Sequence, residues 1–136
     1  MSMWHLDPSD RVSSPAFSEG TAIEGATRLV MVGGQNGTDA DGRISGDLAA
    51  QTVQALRNVL SVLALGAATA DDVLKLTVYL TADADPSTAF RAASEVWGSR
   101  RTAVTVLKVA GFARHEALVE IEAFAAVHTP ERKATS

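Results

Sequence analysis

Apolar and polar positions recur on two different periods along this chain. Leu48, Thr52, Leu56, Val59, Leu60 and Leu63 follow a helical spacing, and Gln51, Gln54, Arg57 and Asn58 fall mostly between them. Asp47 stands at the N-cap position and Gly66 where the helix would stop. The pattern predicts an amphipathic helix of about four or five turns. Between Asp71 and Leu80 the period shortens to two. Leu74, Leu76, Val78 and Leu80 take one face of a predicted strand; Lys75, Thr77 and Tyr79 take the other. Asp85-Pro86 then reads as an N-cap followed by proline at the first helical position. Phe90, Ala93 and Trp97 form the expected buried stripe of this second helix, and Gly98 ends it.

Shorter apolar runs complete the pattern. Arg28 to Val32 (RLVMV) is too continuous to show an inward face and reads as a well-covered strand. Ala16 to Glu24 is a weaker strand, which the Gly25-Ala26 region would turn into a hairpin with it. GGQNGTDADG, residues 33–42, is a loop by composition. Two strands follow the second helix, from Arg101 to about Val109 and from Ala117 to Val127. Residues before about Pro15, and TPERKATS from Thr129, have the composition of loose ends.

The expected order is β-β-α-β-α-β-β, in one domain over 1–136 with an ordered core of about 15–128. This is an α+β, two-layer architecture: a mixed β-sheet with two helices on one face. The last strand then poses a problem. Val119, Ile121, Ala123, Ala125 and Val127 would face the helices. Leu118, Glu120, Glu122, Phe124 and Ala126 would face away, mixing large apolar groups with carboxylates. Such a face is too apolar for plain surface and is expected to meet another subunit.

Composition narrows the chemistry. At 136 residues the chain can hold one real core, and with 5% aromatics that core is aliphatic. With no cysteine, disulfides, thiolate catalysis and Cys-based zinc sites are excluded. A net charge of −4 weighs against nucleic acid, which needs a concentrated basic face. The start carries Asp7, Pro8 and Asp10 and is not a signal peptide; the longest apolar stretch, Val59 to Ala68, is too short for a bilayer span. A cytoplasmic protein with no membrane partner is expected. His5, His115 and His128 are scattered and read as surface residues, so no metal is expected. GGQNG lacks the P-loop lysine, and no GxSxG elbow occurs.

Two features remain. Arg100-Arg101 heads a strand that continues as the uncharged TAVTV, and Glu120 lies among apolar neighbours in LVEIEAFAAV. A guanidinium grips a carboxylate through two parallel hydrogen bonds, and a glutamate holds and deprotonates a water. On spacing alone, an intersubunit salt bridge without chemistry is the stronger reading, and for Glu122 more so. Lys75, Thr77 and Tyr79 read as a solvated or interface-facing patch, and Trp97 as core.

Taken in order, VMVGGQ, DLAAQTVQALRNVLSVL, DDVLKLTVYL, RTAVTV and ALVEIEAFA resemble the RidA/YjgF/endoribonuclease L-PSP family, the reactive-intermediate (imine) deaminases. The resemblance runs from about Pro15 to Val127, and EIEA with an upstream R-[ST]-x-V is its most diagnostic part. It implies a chorismate-mutase-like fold and a homotrimer with active sites in clefts between subunits. It implies hydrolysis of small 2-imino acids and enamines to 2-oxo acid and ammonia, with no cofactor. By position, Arg101 would clamp the substrate carboxylate and Glu120 would orient the water. Gly34 would line the cleft, Ser94 would stand at the place of a helix asparagine, and a backbone N–H at Leu107 or Val106 would join the carboxylate cradle. The chain departs from the family where AFSEGTAIEG lacks the first-strand tyrosine, with Phe17 the nearest aromatic. Gly33 replaces a loop serine, and AGFARHEA, residues 110–117, is a longer connection than usual. These departures favour, as an alternative, a non-catalytic trimer that binds small carboxylates; ribonuclease activity is a weaker third reading.

Overall fold

In a computed structural model, which describes residues 2–128, the strands are β1 (Ser2–Leu6), β2 (Gly20–Glu24), β3 (Arg28–Gln35), β4 (Val73–Thr81), β5 (Ala103–Val109) and β6 (Val119–Val127). The helices are α1 (Leu48–Leu65) and α2 (Pro86–Trp97), with a short 3-10 turn at Ala70–Asp72. The main sheet has the order β3-β6-β4-β5. β4 and β5 are parallel, as a crossover through α2 requires; the other two pairings are antiparallel. The expected α+β architecture, a mixed sheet with both helices packed on one face, holds.

The sequence signals at the helices act as anticipated. Asp47 Oδ1 accepts from the Ala50 N–H at 2.9 Å, and Asp85 caps α2 through the Ser87 N–H at 3.1 Å, with Pro86 in its first turn. Leu56, Val59 and Leu63 of α1 meet Leu76, Leu80, Val119 and Ile121 in a core that is almost wholly aliphatic. By length and composition alone α1 would pass as a bilayer span, yet this face packs into the protein's own core.

Five expectations are corrected. The N-terminal residues are not loose, because Ser2–Leu6 forms a strand antiparallel to β2. This partner also replaces the expected hairpin: β2 pairs with β1, while β3 pairs with β6. Thr129–Ser136 lie outside the described residues. On β4 the alternation breaks at its start. A register shift between Val73 and Lys75 turns Val73 into the core, and Leu74 stays half-buried. On α2 the buried residues are Ala89, Ala92 and Trp97, whereas Phe90 is 44% exposed. On α1, Gln51 is buried rather than solvated. Its amide donates to the Gly46 and Glu116 carbonyls and accepts from the Leu118 N–H, at 3.1, 3.2 and 2.9 Å. It thereby fastens the 110–118 connection to the helix immediately before β6 begins. Gly37 lets this helix approach, since a Cβ there would lie 2.9 Å from the Gln51 Cα.

The face of the sheet away from the helices carries Leu29 and Met31 of β3 and Phe124 of β6, exposed by 62, 63 and 45%. Glu120, Glu122, Tyr79 and Thr77 continue it. The division of β6 into a buried odd-numbered set and a mixed even-numbered set follows the expected parity, with Ala126 alone of the second set fully buried.

Candidate active site

The candidate residues fall into three places. The first is the middle of the open sheet face. Within the irregular stretch between Val32 and Gln35, β3 brings Gly34 beside Glu120. A Cβ at Gly34 would overlap the Glu120 carboxylate and lie 2.9 Å from its carboxyl carbon. Glycine is needed here for close approach, not for backbone conformation, because its φ is not positive. The Glu120 carboxylate makes no hydrogen bond or ion pair among the described residues. Tyr79 lies opposite it on β4, and Leu107 lies opposite Tyr79 on β5. Leu107 is thus on the same row as Glu120, at the exposed edge of the sheet.

Tyr79 is engaged by the neighbouring carboxylate. Its hydroxyl donates to Glu122 Oε1 at 2.6 Å. That hydrogen bond, reinforced by desolvation and by the charges of Glu122 and Glu120, raises the phenol above its ordinary 10.0. Lys75 donates to Thr105 Oγ1 at 2.6 Å. The expected polar patch is therefore a set of cross-strand bonds. It leaves Glu120 as its unpartnered acid, while Glu122 is occupied.

The second place is the start of β5. Arg101 is 32% exposed and its Nη2 donates to Asp7 Oδ2 at 3.1 Å and to the Ser14 and Phe17 carbonyls at 3.0 Å each. Its Nε is buried without a partner among the described residues. Asp7 also accepts from the Glu19 N–H at 3.0 Å. That bond, with help from the Arg101 guanidinium, holds the Asp7 carboxyl below its usual 3.8. Arg100 points elsewhere. It donates to Asp71 at 2.8 Å and to the Trp97 carbonyl at 2.7 Å, which caps the end of α2. Both arginines border a recess of about 200 Å³ that also includes His5. No signal within either segment pairs Asp7 with Arg101, which stand 94 residues apart.

The third place is α2. Ser94 Oγ donates back to the Phe90 carbonyl at 2.9 Å and borders an apolar cavity of about 330 Å³. Phe17 and Phe90 meet there edge to face, with ring centres 5.4 Å apart. Sequence reasoning missed this cavity, because it arises between elements far apart in the chain. His5, His115 and His128 are exposed; His5 bonds to Ser18 and His128 to the Gly25 carbonyl.

Gly34, Glu120 and Leu107 thus share one region, but Arg101 does not. Arg101 stands two residues before β5 and six before Leu107, a span of at most about 20 Å at ~3.3 Å per residue. Within one chain the guanidinium is turned to the N-terminal segment, and no described contact brings it to Glu120.

Comparison with known proteins agrees with this architecture. The Rid protein YyfB from Yersinia pestis superposes with a TM-score of 0.80 at 29% identity, over 93% of this chain and 100% of that one. A YjgF/YER057c/UK114-family protein from Mycobacterium tuberculosis gives 0.63 at 28%, over 93 and 100%. A putative endoribonuclease from Thermotoga maritima gives 0.69 at 26%, over 83 and 87%. No curated protein matches the sequence. The model of the endoribonuclease L-PSP family matches residues 10–127, and with nearly the whole domain covered the chain belongs to that family.

Proposed function

We propose that this protein is a hydrolytic deaminase of small 2-imino acids and enamines, working without a cofactor at sites shared between subunits of a homotrimer. The observation that carries this reading is the Glu120 carboxylate, which has no partner among the described residues and is lodged where only glycine leaves room. The separation of Arg101 from Glu120 supports a site completed by a second copy. The exposed Leu29, Met31 and Phe124 give that copy an apolar face to cover.

The chemistry asked of these residues is modest. Arg101 of one subunit holds the substrate carboxylate, and Glu120 of the next holds a water against the C=N carbon. As the water oxygen bonds to carbon, Glu120 takes its proton and passes it to nitrogen. As the carbinolamine hydroxyl gives its proton to nitrogen through Glu120, its oxygen closes to C=O and the C–N bond breaks, giving a 2-oxo acid and ammonia from one imine and one water. Leu107 and Gly34 line this path as backbone, and Ser94 lies at its apolar side.

The test is ammonia and 2-oxo acid release from imines generated in situ by an amino-acid oxidase. At sub-saturating substrate, Arg101→Ala and Glu120→Gln should each lose nearly all activity. Co-expressed, they should regain activity at about a quarter of the sites, because mixed trimers rebuild some intact pairs. No wild-type activity above buffer would end the deaminase reading, and absence of complementation would end the shared site.

A second reading, binding without turnover, is favoured by Phe17. Its ring packs on Phe90 and offers no hydroxyl, and the only tyrosine in the chain, Tyr79, is committed to Glu122. Thermal stabilisation by 2-oxo acids that disappears in Arg101→Ala, without ammonia release, would establish it. A net charge of −4 argues against the ribonuclease activity in the family's name.

A further inference from the structure

The cavity between α2, β4, β5 and residues 15–17 contributes only Ser94 to the chemistry above, yet it has the form of a ligand pocket. Its volume of about 330 Å³ lies within the range of small-molecule sites, which begins near ~300 Å³. Leu56, Leu76 and Leu80 form its floor, Trp97 and Phe90 one wall, and Phe17 its roof. The lining is apolar apart from Thr52, Ser94, Ser99 and Arg100, and Arg100 is its one ionisable side chain. That charge is paired with Asp71, so the cavity itself suits an uncharged apolar group. The roof is held from outside, since Arg101 bonds the Ser14 and Phe17 carbonyls. The candidate carboxylate clamp and the roof of the apolar cavity are therefore joined by direct hydrogen bonds.

We propose that this cavity receives the aromatic or branched side chain of a 2-oxo or 2-imino monocarboxylate, so that the preferred substrates are bulky and apolar. The inference rests on the deaminase reading only for the reacting group; the pocket itself requires binding alone. A carboxylate that engages Arg101 competes for the bonds that hold Phe17, which links occupation of the clamp to movement of the roof. Apolar walls gain by excluding water in proportion to the area covered, so affinity should rise with side-chain size.

The test is calorimetric titration with phenylpyruvate, 4-methyl-2-oxopentanoate and pyruvate. In a Trp4→Phe background the remaining indole N–H signal belongs to Trp97, which donates to Thr102 at 3.0 Å and borders the cavity. The two bulky acids should bind at least about tenfold tighter than pyruvate, at roughly fourfold per buried methylene, and should shift the Trp97 signal. Ala93→Phe, which fills the cavity, should remove the tenfold preference and leave pyruvate binding unchanged. Phe90→Ala, at an exposed wall and safe for folding, should weaken phenylpyruvate alone. Equal affinity for all three acids, or an unmoved Trp97 signal, would overturn the proposal. So would an Ala93→Phe protein that loses its assembly while ligand binding persists, since a neighbouring subunit would then be the occupant. Tight binding of the bulky acids without ammonia release would keep the pocket and remove the deaminase reading. Turnover that is indifferent to side-chain size would do the reverse.

Discussion

Glu120 and Arg101 are the two ends of one expected site, and the fold treats them oppositely. Glu120 sits on a central strand with neighbours on both sides, against a glycine, and its carboxylate has no hydrogen-bond or ion-pair partner among the described residues. Arg101 sits at the mouth of an edge strand, its Nη2 committed to a carboxylate and two carbonyls from the N-terminal segment. The acid is placed by sheet register, which cannot shift without turning every neighbouring side chain over. The base is placed by a tether that a competing carboxylate can replace. Asp7 on Arg101 is chemically the same contact that a substrate acid would make, so one half of the site stands ready while the other is guarded.

The largest expected effect separates the two ends kinetically. Glu120→Gln should lower kcat by about 10²–10⁴ with KM little changed, whereas Arg101→Ala should act chiefly through KM. If both act through KM, Glu120 binds and does not catalyse. Next is Gly34→Ala, which pushes the Glu120 carboxylate aside and should cost up to about 10² in kcat while the melting temperature stays near wild type. An unchanged kcat would show that the close approach is incidental.

Asp7→Asn should release the guard. Binding of 2-oxo acids to Arg101 should tighten a few-fold by titration, while the protein melts at a lower temperature at neutral pH. The sign with pH follows from the depressed Asp7 carboxyl. Its stabilising contribution is present above the unfolded value of 3.8 and is lost as pH falls through the folded value. The melting difference between wild type and Asp7→Asn should therefore shrink to nothing in acid; a gap that persists there would mean that Asp7 acts through packing. The smallest effect is spectroscopic. Tyr79 is the single tyrosine, so its ultraviolet titration should have a midpoint above 10.0 that falls back in Glu122→Gln. A normal midpoint in wild type would mean that Glu122 is free to act beside Glu120.

Much of the fold was legible because its signals are local. Asp47 and Asp85 announce their helices within one turn, and the parity of β6 separates Ile121 from Glu120 without knowledge of any neighbour. The misreadings were all long-range. Nothing within residues 2–6 shows that β2 will claim them as a partner, nor does the pattern of α1 show that Gln51 will be buried to bind the Leu118 N–H. Phe90 was assigned to the core by period, but its ring belongs to the wall of a cavity.

For the site the division is similar. The residues alone singled out Arg100-Arg101 and Glu120 as types able to hold an acid and a water, and foretold a second sheet face too apolar for plain surface; the family resemblance added Gly34 and the choice of Arg101. Only the tertiary structure decided that Gly34 and Glu120 meet, that Arg101 stands apart from them before the start of β5, and that Asp7 holds it. Residue chemistry and short-range period are written in the chain itself. Which distant groups become neighbours depends on strand order and register, and these emerge only when the whole sheet is assembled.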